Sequence, residues 1–248
     1  MTRLPITKTP KPYVGGAFIR SESGRTFPAK DAAGNFFAHI PQCTRKDLRN
    51  AVEAAAKAGP GWARRTAYNR GQILYRLGEM LEARREEMIA TLLRFGTPKA
   101  AAAREVEVAT DRLVYYAGWA DKYEQVLGNV NPVASAHFNF TVTEPMGVVG
   151  VIAPDAPALL GLVSLLAPVI VSGNTVVALA SELTPYPAIL LGEMLATSDL
   201  PGGVVNILTG FRRELVPTFA THAHLRALSA VANADERKIA IERRMREQ

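Results

Sequence analysis

After Gly147, short apolar segments alternate regularly with longer segments of helical periodicity. The apolar segments are residues 148–153, 175–180, 204–209 and 225–230. The helical segments are residues 158–171, 187–197, 213–221 and 235–246. Apolar strands joined by helical crossovers are typical of a parallel sheet that is covered on both faces. The sequence therefore predicts an α/β fold, with part of a doubly wound, Rossmann-like parallel sheet.

The sequence before this alternation predicts an arm of strands, a helical layer and a hairpin. Strands are expected at residues 13–19, 36–40 and 136–143, and helices at 47–58, 68–95 and 99–125. Gly59-Pro60-Gly61 is expected to end the first helix, because proline and glycine interrupt helices. The expected division is an N-terminal arm (1–45), a helical layer (46–125), a protruding hairpin (126–145) and half of a Rossmann-like βα domain (146–248).

The charge pattern argues against nucleic acid as a partner. The formal net charge is +6, but basic pairs such as Arg212 with Arg213 are interleaved with glutamates, and no aromatic stacking platform accompanies them. Solvated helix surfaces are the favoured interpretation. The apolar residues 158–171 are too few to span a bilayer, and residues 1–5 lack the apolar core of a signal peptide. We therefore expect no membrane association and a cytoplasmic location.

The cysteine and histidine content predicts neither a disulfide nor a metal site. Cys43 is the single cysteine, and no local base accompanies it, so an inert thiol is favoured over a nucleophile. His222 and His224 are two residues apart, which separates their side chains on either a strand or a helix. A solvated pair is favoured over a pair of metal ligands.

Four motifs carry a family resemblance. They are EPMGVVGVIAPDAP (144–157), GNTVVALASELTP (173–185), LPGGVVNILTG (200–210) and YYAG (115–118). In their order along the chain they resemble the N-terminal, cofactor-domain half of the NAD(P)-dependent aldehyde dehydrogenase superfamily. The resemblance extends to about residue 230 and implies that the hairpin at 126–145 is of the kind that joins subunits.

The resemblance implies a weakened cofactor site. It identifies Ile152, Pro154, Ser181, Glu182 and Gly210 as residues that remain from the family's cofactor site, with Glu182 in the place that contacts ribose hydroxyls. The family's ribose-binding lysine and the proline after it are replaced by Leu179 and Ala180, and a glycine near the pyrophosphate is replaced by Ala230. No cofactor is therefore expected, with weakened NAD or NADP binding as the alternative.

The resemblance assigns no catalytic residue. Asp155 and Ala156 stand where the family has Trp and the Asn that stabilises the oxyanion. A methyl group donates no hydrogen bond, and a carboxylate is expected to repel developing negative charge. The family's general-base glutamate and nucleophilic cysteine belong to later segments that this sequence does not contain, so aldehyde oxidation by this chain alone is not expected.

These features predict a non-catalytic structural or regulatory subunit that associates with a full-length aldehyde dehydrogenase or with itself. The apolar strand around Phe138, Phe140 and Val142 would provide the contact surface. Two alternatives stay open. The chain could be a residual NAD(P)-binding module, or one part of a split aldehyde oxidoreductase that a partner completes in trans.

Overall fold

The computed structural model describes residues 8–231, and the last helix predicted from the sequence, 235–246, lies outside this part of the chain. The strands are β1 (Tyr13–Val14), β2 (Ala17–Phe18), β3 (Thr26–Lys30), β4 (Phe36–Pro41), β5 (Asn129–Asn131), β6 (Asn139–Thr141), β7 (Val148–Ile152), β8 (Thr175–Leu179), β9 (Val205–Leu208) and β10 (Leu225–Ala230). The helices are α1 (Arg45–Ala63), α2 (Ala67–Ala83), α3 (Arg85–Arg94), α4 (Lys99–Trp119), α5 (Tyr123–Leu127), α6 (Ala158–Val171), α7 (Tyr186–Leu195) and α8 (Arg212–Thr221).

A six-stranded sheet organises the fold, with strand order β10-β7-β8-β9-β1-β2. The four strands from β10 to β9 are parallel, and a helix lies in each of the connections from β7 to β8, from β8 to β9 and from β9 to β10, as the sequence predicts. Tyr13 in β1 pairs antiparallel with Ile207 in β9 and thereby extends the sheet. The α/β class and the partly doubly wound sheet are confirmed.

Side chains from alternate strand positions enter two separate cores, because successive residues of a strand point to opposite faces. On one face, Val151 and Ala178 pack in a cluster with α2, α4, α6 and α7. On the other face, Val177 and Leu179 pack with α1 and α8. The helices therefore cover both faces of the parallel strands and leave their carboxyl ends at one edge.

Two predicted helix boundaries are wrong. The first helix continues through Pro60 to Ala63, and its last turn is held by Trp62, whose buried indole N–H donates to the Ile170 carbonyl at 2.8 Å. The predicted helix 68–95 is two helices, α2 and α3, which meet at Arg84. The guanidinium of Arg84 binds Glu193 on α7 at 2.7 Å, so tertiary contacts anchor the break.

Other predicted elements are shorter than expected. The strand 13–19 is two short strands around Gly15 and Gly16, whose φ values of 63° and 86° form a tight turn. The helix 99–125 ends at Trp119 and is followed by the short α5. The strand 136–143 is reduced to β6, which pairs with β5 in a separate two-stranded hairpin.

The β5–β6 hairpin carries exposed apolar side chains. Val130 lies opposite Phe140 in its register, and the rings of Phe138 and Phe140 are 5.3 Å apart. Phe138 is 75% exposed and Val142 is 65% exposed. Within residues 8–231, no helix is long and apolar enough to cross a membrane.

Candidate functional site

Three turns meet at the carboxyl edge of the sheet, because β7, β8 and β9 are parallel neighbours. The turns comprise residues 153–157, 180–185 and 209–211. In doubly wound sheets, ligands bind in the crevice outside the carboxyl ends of the strands. We refer to this region as the carboxyl-edge crevice.

Asp155 joins the turns that follow β7 and β8. Its Oδ1 accepts hydrogen bonds from the Ser181 hydroxyl at 2.7 Å and from the backbone N–H groups of Glu182 and Leu183 at 3.1 and 3.3 Å. Its Oδ2 lies 2.9 Å from Nη1 of Arg212. The Asp155 carboxylate therefore holds the turns that follow β7 and β8 together and also binds the guanidinium of Arg212, at the start of α8.

Arg212 crosses the crevice. Its Nη2 donates to the Ala153 carbonyl at 2.7 Å, and its backbone N–H donates to Glu182 Oε2 at 2.9 Å. Arg212 begins α8 after β9, whereas Ala153 and Asp155 follow β7. Because β8 lies between these strands, the Arg212 side chain crosses the carboxyl end of β8. Its side chain is only 17% exposed.

Protein carboxylates also occupy the starts of two helices at this edge. Glu105 on α4 accepts the N–H groups of Leu159 and Leu160 in the first turn of α6, at 2.8 and 3.2 Å. Glu182 binds the first N–H of α8 in the same manner. Helix N-termini are common binding positions for phosphates. Here the chain supplies the anions itself.

The five cofactor residues predicted from the resemblance lie at this edge. Ile152 ends β7, and Pro154 follows it in the first turn. Ser181 and Glu182 lie in the turn after β8, and Gly210 follows β9 with a φ of 150°. The structure brings these residues together, and their contact with a cofactor stays a prediction.

Sequence reasoning missed the role of Arg212. Its interpretation as part of a solvated helix surface is wrong, because the side chain is largely covered and paired with Asp155. Its position directly after β9 was the feature of the sequence that could have indicated this role, because the turns meet at that edge of the sheet. The pair also corrects the electrostatic expectation for Asp155, whose charge is balanced by Arg212.

Cys43 lies beneath the crevice rather than in it. The residue is fully buried, and its backbone N–H donates to the Thr209 carbonyl at 2.9 Å. Burial raises the pKa of the Cys43 thiol to about 12. Since the thiolate is the reactive form, burial disfavours a reaction of this group.

The two histidines lie at the opposite end of the sheet, before β10. Their ring centroids are 6.0 Å apart, and the His224 N–H donates to His222 Nδ1 at 3.3 Å. Burial, followed by the neighbouring charge of His224, lowers the pKa of His222. No group of three or more His, Cys, Asp or Glu residues that could hold a metal ion occurs in the described range 8–231.

The parallel sheet and its carboxyl-edge crevice define a domain of the doubly wound α/β class. The chain belongs to the aldehyde dehydrogenase family, whose model matches residues 18–243. It is 35% identical to retinal dehydrogenase 2 of Gallus gallus over 239 residues, which cover 94% of this chain and 45% of that protein. It is 33% identical to the mitochondrial aldehyde dehydrogenase family 2 member B4 of Arabidopsis thaliana over 233 residues, which cover 91% of this chain and 42% of that protein. The chain thus spans less than half the length of these relatives.

Solved structures support the same assignment. The NAD⁺ complex of an aldehyde dehydrogenase from Bacillus cereus matches with a TM-score of 0.92 and 25% identity, over 97% of this chain and 49% of that chain. The HpcC protein of Thermus thermophilus matches with a TM-score of 0.91 and 27% identity, over 97% of this chain and 47% of that chain. The described fold is that of the N-terminal half of this family.

The residues at the crevice do not fit the dinucleotide that the family implies. The Glu182 carboxylate, in the place that contacts ribose, is already bound to the Arg212 N–H. Leu179, in the place of the ribose-binding lysine, is fully buried and has no donor. The Arg212 side chain lies across the end of β8, where its guanidinium is bound to Asp155 and to the Ala153 carbonyl.

Proposed function

We propose that this chain is a non-catalytic structural or regulatory subunit that associates with a full-length aldehyde dehydrogenase, or with a second copy of itself. The observation that carries the proposal is the closure of the carboxyl-edge crevice by Asp155, Ser181, Glu182 and Arg212. These residues satisfy one another, so the region is a stable part of the fold rather than a prepared ligand site.

The chemistry of the neighbouring residues supports a non-catalytic role. Ala156 stands in the place of the family's oxyanion-stabilising asparagine and provides no side-chain donor. Cys43 is buried, and its raised pKa disfavours the thiolate that a nucleophile requires. Within residues 8–231, we therefore assign no residue to acyl chemistry.

The hairpin supports a role in association. Val130, Phe138, Phe140 and Val142 are each more than half exposed and lie on β5, β6 or the residues beside them. Apolar surface of this kind marks sites of protein–protein contact, and an exposed strand edge can pair with another strand. The occupant that we propose is the corresponding hairpin or sheet edge of a family member.

Light scattering after size-exclusion chromatography tests this proposal. The chain is expressed alone and together with a full-length aldehyde dehydrogenase from the same genome. We expect a dimer or larger species in the first case, or a mixed complex in the second. A monomer in both preparations would contradict the proposal. For the split-enzyme alternative, the chain is instead mixed with a partner that bears the catalytic cysteine, and an unchanged rate of NADH formation would reject it.

A residual nucleotide-binding module is the second candidate. It is favoured by the position of Ser181 and Glu182 at the crevice and by the similarity to a structure solved as an NAD⁺ complex. Calorimetry with NAD⁺ and NADP⁺ tests it, on the natural chain and on R212A, which removes the side chain that crosses β8. Saturable heat with the natural chain would favour this candidate, and none with either chain at millimolar nucleotide would exclude it.

A further inference from the structure

A separate cavity of about 450 Å³ lies between the first turns of α1 and α8. Four cationic side chains line it, and Glu214 is the one acidic side chain among the lining residues; the cations are Arg25, Arg45, Lys46 and Arg213. We call it the basic cavity. A volume of this size accommodates a small-molecule ligand.

The acidic groups near the basic cavity are already engaged. Both carboxylate oxygens of Glu214 accept hydrogen bonds from Gln42 Nε2, at 3.1 and 2.9 Å. Glu22, which binds Lys46 at 2.8 Å, lies outside the lining. The buried Asp47 carboxylate accepts hydrogen bonds from Ser21 and Thr44 and from the Glu22 N–H. Glu22 and Asp47 therefore lie outside the lining, whereas the Glu214 carboxylate lines the cavity and is held by Gln42.

Two of the arginines retain unpaired charge. Among the residues that the structure describes, no carboxylate lies within 4.0 Å of the guanidinium of Arg45 or Arg213. Arg213 is nevertheless positioned, because its guanidinium lies over the Phe211 ring, 5.2 Å from the centroid, and Phe211 packs against Phe27 at 5.0 Å. An oriented cation loses less entropy on binding a ligand than a free side chain does.

We propose that the basic cavity binds a small molecule that carries a diphosphate group. Guanidinium groups present paired N–H donors that match phosphate oxygens, and two unpaired arginines can each bind one phosphate. The cavity is distinct from the carboxyl-edge crevice, and the proposal does not depend on the subunit role.

Isothermal titration calorimetry with inorganic pyrophosphate tests this proposal on the full chain. We expect saturable binding with one site per chain. R45A/R213A should weaken the affinity at least tenfold. E214Q should strengthen it about threefold, because the amide oxygen can still accept from Gln42 while the negative charge that lines the cavity is removed. Thermal unfolding of each variant verifies that it folds.

R76A/R104A is the matched control, because it removes two exposed arginines of α2 and α4 that lie outside the basic cavity. It lowers the net charge by the same amount as R45A/R213A, and its affinity should stay within twofold of the natural chain. If both double variants weakened the affinity for pyrophosphate equally, the binding would depend on net charge alone, and the proposal would be overturned. Absence of saturable heat with pyrophosphate at low ionic strength would also overturn it, whether the cavity then binds nothing or binds an acidic protein segment.

Discussion

Asp155 has a structural role at the turn that follows β7, in the place of the tryptophan of the family motif. Its carboxylate binds Ser181, two backbone N–H groups and Arg212. Both ionic side chains are less than one-third exposed, so water screens their attraction only partly. These contacts therefore tie the turns that follow β7 and β8 to the start of α8.

We expect Asp155 and Arg212 to be energetically coupled. Replacing Asp155 by Ala should lower the free energy of unfolding by about 2–3 kcal/mol, because it leaves several donors without their acceptor. A double-mutant cycle of D155A and R212A, measured by urea unfolding, should give a coupling energy of about 1–2 kcal/mol. Additive losses would show that the pair makes no net contribution.

Cys43 should react with a thiol reagent only after unfolding. Its pKa rises from an ordinary 9.0 to about 12 in the folded chain, so the unfolded thiol ionises first as pH increases. This contribution to stability is complete below pH 9 and is lost between pH 9 and 12, with a slope approaching about 1.4 kcal/mol per pH unit. Ellman's reagent at pH 8 checks the first expectation, and comparison with C43A in alkaline urea checks the second.

Three of the motifs located the turns at the carboxyl edge from the sequence alone, because each of these three includes the end of a strand and the turn after it. The inert Cys43 thiol stays a prediction, and the burial of this residue supports it. The role of Arg212 could not be predicted in the same way, because its partner Asp155 lies across an intervening strand. Two adjacent arginines are typical of a solvated surface, and only the strand order shows that one of them lies beside an acidic partner.

Helix α6 depends on a carboxylate from another helix. Glu105 is buried on α4 and binds the N–H groups of Leu159 and Leu160, while Gly161 in the next turn packs directly on Pro154. A side chain at Gly161 would overlap the Pro154 ring. The first turn of α6 is therefore held against both α4 and the turn that follows β7.

We expect E105A and E105Q to differ in stability. The glutamine oxygen can still accept both N–H groups, so E105Q should cost about 1 kcal/mol through loss of the charge–dipole attraction. E105A leaves two buried donors unsatisfied and should cost about 2–3 kcal/mol. Thermal and urea unfolding provide the comparison, and equal losses would mean that packing rather than hydrogen bonding explains the role of Glu105.

Element types were predicted more reliably than their ends. Apolar periodicity identified the long helices, but it continues across Arg84, where the chain changes from α2 to α3. Proline at position 60 indicated a helix end, yet burial of Trp62 holds one further turn. In both cases tertiary contacts outweigh the local preference of the sequence. These contacts join residues that are distant in the chain, so a single sequence does not predict them.

In the molecule as a whole, the parallel sheet could be predicted from the sequence, whereas the pairing of β1 with β9 and the short extent of the β5–β6 hairpin could not. Parallel order follows from strand–helix alternation, whereas the pairing of Tyr13 with Ile207 joins distant parts of the chain through a two-residue strand. In the part of the chain that the structure describes, residues 8–231, the β5–β6 hairpin makes no strand pairing with the main sheet. Its apolar side chains are exposed and lie outside the core clusters, which supports the proposed role in association.

We expect substitution of the hairpin aromatics to abolish association without unfolding the chain. F138S/F140S removes side chains that are 75% and 57% exposed, so the core should be unaffected while the apolar contact surface is lost. Y68S/Y75S is the matched control, because these aromatics on α2 are 69% and 51% exposed. Light scattering should give monomers for the first variant and unchanged assemblies for the second. Equal effects of both variants would indicate nonspecific apolar association, and no effect of the first would place the interface elsewhere.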